Sequence, residues 1–170
     1  VDYEALEASR KELAILDNLE EKHKPFQKDP NHKREKADYK RFFGIVNKHV
    51  VFYSERSGFY KYYQALIETL LKKTNLSIHY ITNDPNDAIF ELAKKEPNIK
   101  PYYVGVKKLI SLMMKMDADI VVMTTPDLDN YYLKRSLIRK DVEYIFVPHD
   151  SGSMSMGFRE HSLDNFDTIF

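Results

Sequence analysis

Short runs of β-branched and aromatic residues alternate along this chain with segments whose apolar residues recur at helical spacing. That alternation restricts the fold more than any other feature. His49 to Ser54 reads as a first strand, and Phe59, Tyr62, Tyr63, Leu66, Ile67, Leu70 and Leu71 then fall on one face of a helix. Leu76 to Thr82 reads as a second strand, after which Asn83, Asp84 and Pro85 turn the chain into a helix through Ala88, Phe90 and Leu92. Pro101 to Val104 is a third strand, Val106, Leu109, Ile110 and Met113 mark a further helix face, and strands follow at Asp119 to Thr124 and Tyr144 to Pro148. Strands separated by helices of this length need right-handed crossovers. The spacing therefore predicts an α/β fold, a Rossmann-like three-layer sandwich with a mostly parallel sheet and helices on both faces. The aromatic and methionine stripes are core by their spacing and carry no chemistry.

Upstream of this pattern, Asp2 to about Lys24 lack Pro and Gly and set Leu6, Leu13, Ile15, Leu16 and Leu19 as a thin apolar stripe among charges, which predicts an exposed N-terminal helix. Pro25 to Lys36, with two prolines and mixed charge, reads as a linker or flexible loop. The expected organisation is helix and linker over 1–38 and one compact domain over 39–170. A chain of 170 residues with 43% hydrophobic and 31% charged residues suits one such domain.

No run approaches the roughly 18 apolar residues needed to cross a bilayer. Twenty-six basic residues balance 26 acidic ones, which argues against a nucleic-acid binder held by bulk charge. The absence of cysteine removes disulfides, thiolate metal sites and thiol nucleophiles, and suits the cytoplasm. Asp2, Glu4 and Glu7 stand where a signal peptide would be basic.

In sheets of this kind ligands sit beyond the carboxyl ends of the strands. Those ends are polar here: Ser54, Glu55, Arg56 and Ser57; Asn83 and Asp84; Thr124, Thr125 and Asp127; and His149, Asp150, Ser151, Gly152 and Ser153. His149 follows an apolar strand through Pro148 and precedes a Ser/Gly-rich turn, a place suited to a general base, with Asp150 or a serine to orient the ring. Its alternative role is a helix cap or a backbone-bonded histidine. Ser151 beside His149 evokes nucleophilic catalysis, but the Gly-x-Ser-x-Gly elbow is absent. Lys134, Arg135, Arg139 and Lys140 follow the Thr124–Thr125–Asp127 turn, where a helix start would add free amides and the set could hold a phosphate. The alternative is a solvated face paired with Asp129 and Asp141, and Arg159 with Glu160 alone reads as a surface pair. The five glycines make neither a dinucleotide fingerprint nor a phosphate loop, and the six histidines lack metal-binding spacing.

Taken together, four separated segments resemble one family. YIFVPHDSGSMSMGFREHSLDNFDTIF at Tyr144 to Phe170 is similar to the part of CDP-glycerol glycerophosphotransferases that runs strand, His, Ser-rich turn, Met, Arg and a Phe/Tyr-Asp pair before the next strand. MTTPDLDNYYLKRS at Met123 to Ser136, VVFYSE at Val50 to Glu55 and HYITNDPNDAIF at His79 to Phe90 resemble the same family in the same order. The resemblance covers roughly Lys48 to Phe170.

It implies the N-terminal, acceptor-side half of a GT-B-like transferase that moves glycerol phosphate from CDP-glycerol to a teichoic-acid-type polymer in bacterial cell-wall synthesis. The nucleotide would be held mainly by a second half expected past Phe170. His149 would be the base, and Ser54, Glu55, Thr124, Thr125, Lys134, Arg135, Asp150, Ser151, Ser153 and Arg159 would line the substrate. The implied partners are CDP-glycerol and a polyol-phosphate or lipid-linked acceptor, with peripheral association at the inner face of the membrane and no cofactor, metal or nucleic acid. Two other classes stay open at this point: a stand-alone Rossmann-like binding or regulatory module without catalysis, and a GT-B sugar transferase using another nucleotide donor.

Overall fold

The computed structural model describes residues 29–149 and 158–170, so the helix expected over 2–24 lies outside the described residues. The chain divides into two units, Val1–His32 and Lys33–Phe170. Of the first, residues 29–32 form a turn in which the Asp29 carboxylate accepts the Asn31 N–H at 2.9 Å.

The described elements run α1 (His32–Phe43), β1 (Lys48–Ser54), α2 (Tyr60–Lys73), β2 (Ile78–Thr82), α3 (Ile89–Lys95), β3 (Ile99–Tyr103), α4 (Val106–Met114), β4 (Ala118–Met123), β5 (Glu143–Phe146) and β6 (Thr168–Ile169). All six strands are parallel and lie in the order β3-β2-β1-β4-β5-β6. This is the Rossmann-like three-layer sandwich that the alternation predicts.

Side chains alternate across each strand, so β1 to β5 feed two cores. Val51, Tyr53, Ile81, Tyr102, Val121, Met123, Tyr144 and Phe146 pack with Phe42 of α1 and with Leu109, Leu112 and Met113 of α4. On the opposite face Val50, Phe52, Ile78, Tyr80, Ile99 and Val122 pack with Tyr63 and Ile67 of α2 and Ile89 of α3. Burial on both faces explains why these strands read as continuous apolar runs. Among the described residues no helix is long and apolar enough to cross a membrane.

Two segments differ from the sequence reading. α1 begins inside the segment expected to be linker through Lys36. Its apolar stripe is short, and polar contacts add to the packing of Phe42: the Asp38 carboxylate accepts the Tyr103 N–H at 2.9 Å, Glu35 accepts the Gly105 N–H at 3.0 Å, and Arg34 donates to the Pro85 carbonyl at 2.6 Å.

The second difference is the crossover from β4 to β5, which contains no helix, so the helix start expected after Thr125 does not form. Asp127 and Asp129 sit at φ 64° and 65°, in the left-handed region that Asp tolerates but a helix does not continue through. The Asp129 carboxylate accepts the Arg135 N–H at 2.7 Å, and its own N–H donates to the Leu133 carbonyl at 2.8 Å, closing a turn over buried Leu128 and Leu133.

Candidate functional site

Strand order reverses between β1 and β4, whose carboxyl ends therefore open a crevice. Polar side chains stitch it. The Thr125 hydroxyl donates to Glu55 Oε1 at 2.6 Å, joining the residues just beyond β4 and β1. The Tyr53 hydroxyl donates to Asn83 Oδ1 at 2.6 Å, and Asn83 Nδ2 donates to the Val104 carbonyl at 2.6 Å, extending the chain of bonds past β2 to β3. Burial raises the Tyr53 phenol well above its usual pKa, and the Glu55 and Tyr132 charges add to this, so it acts as a neutral donor. Ser54 is fully buried and donates to the Arg56 carbonyl at 2.8 Å. Thr124 is buried against the Tyr63 phenol, which donates to the Tyr53 carbonyl at 2.5 Å.

Pairing continues past β5, where the Val147 N–H donates to the Met123 carbonyl at 2.9 Å. This sets His149 beyond the sheet end. Its ring stacks on Phe59, with centroids 5.2 Å apart and planes at 27°, and meets Tyr62 edge-on at 6.0 Å. Both aromatics stand at the start of α2, Phe59 as its N-cap. The imidazole is thus oriented by aromatic rings, and its Nδ1 is buried with no hydrogen-bond partner among the described residues.

The basic run is not gathered into a phosphate site. Arg135 bonds Asp167 at 2.9 Å and the Asn165 and Val142 carbonyls at 2.7 and 3.1 Å, and lies 4.5 Å over the Tyr144 ring. These groups precede β5 and β6, so Arg135 belongs to the amino end of the sheet. Arg139 is also there, clamping Asp117, Asp119 and Asp141 at 3.4, 3.0 and 3.0 Å. Lys134 donates to the Asp129 carbonyl at 2.8 Å. Without a helix, the run winds around the crossover, and Lys134, Arg135 and Arg139 are drawn to local carbonyls or carboxylates.

Arg159 does reach the crevice. It pairs with Asp127 at 2.9 Å, donates to the Tyr131 hydroxyl and lies 4.8 Å over that ring. Its expected pairing with Glu160 is replaced by this contact across the sequence. Asp150, Ser151 and Ser153 lie outside the described residues.

Tyr131 and Tyr132 were not singled out from the sequence, although two adjacent tyrosines inside an Asp/Asn-rich turn are a signal. Each is 52% exposed. With Glu55, Thr125 and Asp127 they line a cavity of about 230 Å3. Among the described residues no group of three or more His, Asp or Glu side chains is arranged to hold a metal ion. Comparison of the chain with family models, curated proteins and solved structures finds no match in any of the three.

Proposed function

We propose that this domain is the acceptor-side half of a glycerophosphotransferase of the CDP-glycerol type, acting on a teichoic-acid-type polymer at the membrane surface, with His149 as its base. One observation supports the reading above the others: an imidazole stands beyond the carboxyl end of β5, fixed by stacking, with Nδ1 unpartnered among the described residues. A histidine serving as a cap or a backbone anchor through Nδ1 would spend that nitrogen on a hydrogen bond.

In the proposed step the acceptor hydroxyl oxygen attacks the phosphorus bearing glycerol. A new P–O bond forms as the bond to the CMP phosphate breaks, and CMP leaves with that electron pair. His149 takes the hydroxyl proton. Glu55 and Thr125 fix the floor of the crevice, and Arg159 reaches it from a loop through Asp127. In the proposal, donor binding falls to a second half.

The test is transfer of glycerol phosphate from CDP-glycerol to a polyol-phosphate acceptor by the full-length enzyme. His149→Ala is expected to lower turnover by roughly 100-fold or more while leaving donor affinity and melting temperature near wild type. Near-normal turnover with a lowered melting temperature would refute the role.

A further inference from the structure

The cavity between the β1 and β4 ends has a chemistry at odds with an anion site. Its lining carries two carboxylates, Glu55 and Asp127, and no lysine or arginine; Arg159, outside the lining, is engaged by Asp127 and Tyr131. Lys134 beside it is held by the Asp129 carbonyl. A phosphate entering here would meet net negative charge, with the Tyr132 hydroxyl as the uncommitted donor among the lining side chains.

What the lining offers is hydrogen-bond acceptors and an aromatic wall. Glu55 uses Oε1 for Thr125, and Asp127 uses Oδ1 for Arg159 and Asn130, which leaves Glu55 Oε2 and Asp127 Oδ2 without a described partner. Tyr132 is half-exposed and makes no side-chain hydrogen bond, ring stack or cation–π contact among the described residues. An exposed ring and free carboxylate oxygens around a small cavity suit a ligand with an apolar C–H face and a rim of hydroxyl donors.

We infer that this cavity binds one uncharged sugar unit, its ring face on Tyr132 and its hydroxyls donating to Glu55 and Asp127. This deepens the transferase reading by naming the kind of unit an acceptor presents beside the crevice, and rests on that reading only in assigning the sugar to an acceptor. The cavity volume fits a single ring, not an oligosaccharide.

The experiment is amide NMR of the full chain titrated separately with methyl β-D-glucopyranoside, the methyl β-glycoside of N-acetylglucosamine, and inorganic phosphate, each to tens of millimolar. At least one glycoside should shift the Thr125, Tyr131 and Tyr132 amides saturably, while phosphate leaves them in place. Tyr132→Ala, which truncates a half-exposed side chain, should abolish the response, and Tyr132→Phe should keep it. Silence with both glycosides, saturable phosphate binding at the same amides, or wild-type glycoside binding by Tyr132→Ala would each overturn the inference. His149→Ala should bind the glycoside as wild type does, so failure of the base reading and failure of this one are separable.

Discussion

Lowering the pH from 7.5 to 4.5 should cost this domain stability through one side chain, His79. It is 3% exposed on β2, its Nδ1 lies 3.0 Å from the Tyr102 hydroxyl, and its ring stacks on Tyr102 at 5.9 Å. Burial, followed by the charges of Lys48, Lys100, Arg41 and His49, lowers its pKa to about 4 from 6.5. The folded protein therefore keeps His79 neutral through a range in which the unfolded chain takes up a proton. Between these values the unfolded state binds more protons, so stability is complete above 6.5 and falls as the pH drops toward 4. The full difference is about 3 kcal/mol, of which about 2.5 kcal/mol is lost by pH 4.5. Urea unfolding at stepped pH measures it, with His79→Gln as the reference that cannot titrate. Wild type should lose about 2.5 kcal/mol more than the variant over this window. Parallel curves would refute the reasoning, since every other titrating group is common to both proteins.

Ile67, fully buried where α2 meets β1 and β2, should cost roughly 2–5 kcal/mol on truncation to Ala, read as a shift of the urea midpoint at unchanged slope. Asp38→Ala leaves the buried Tyr103 N–H without its acceptor and should destabilise by roughly 1–3 kcal/mol, with faster amide exchange at Tyr103 than in wild type.

What could be read in advance follows from where burial is continuous. β1, β2 and β4 are sandwiched between two cores, so His49–Ser54, Leu76–Thr82 and Asp119–Thr124 stand out as apolar runs, and each was placed within two residues at either end. α1 escaped because its determinants are partners far along the chain: nothing in HKREKADYKRFF shows that Asp38 and Glu35 meet amides at Tyr103 and Gly105. The basic run misled for the converse reason. Its charges are visible, but the carbonyls and carboxylates that bind Arg135 and Lys134 depend on how the crossover folds. At the crevice, the position of His149 was legible from strand and turn. The stacking of its ring on Phe59 was hidden, because Phe59 shares the helical spacing of core residues.

The anchoring of α1 has a consequence for how copies of this protein meet one another. β3 ends the sheet, and a bare outermost strand is a template on which another chain can extend the hydrogen-bonded ladder. Here several groups on and just beyond that edge are already engaged. The Ile99 N–H turns back to the Glu96 carbonyl, Pro101 has no N–H and gives its carbonyl to Arg41, and Asp38 and Glu35 take the Tyr103 and Gly105 N–H groups. On the far side, β6 is only two residues long. The helix that looked like a linker is thus a guard against ribbon-to-ribbon aggregation, and a chain trimmed to begin at β1 would expose the edge that α1 closes.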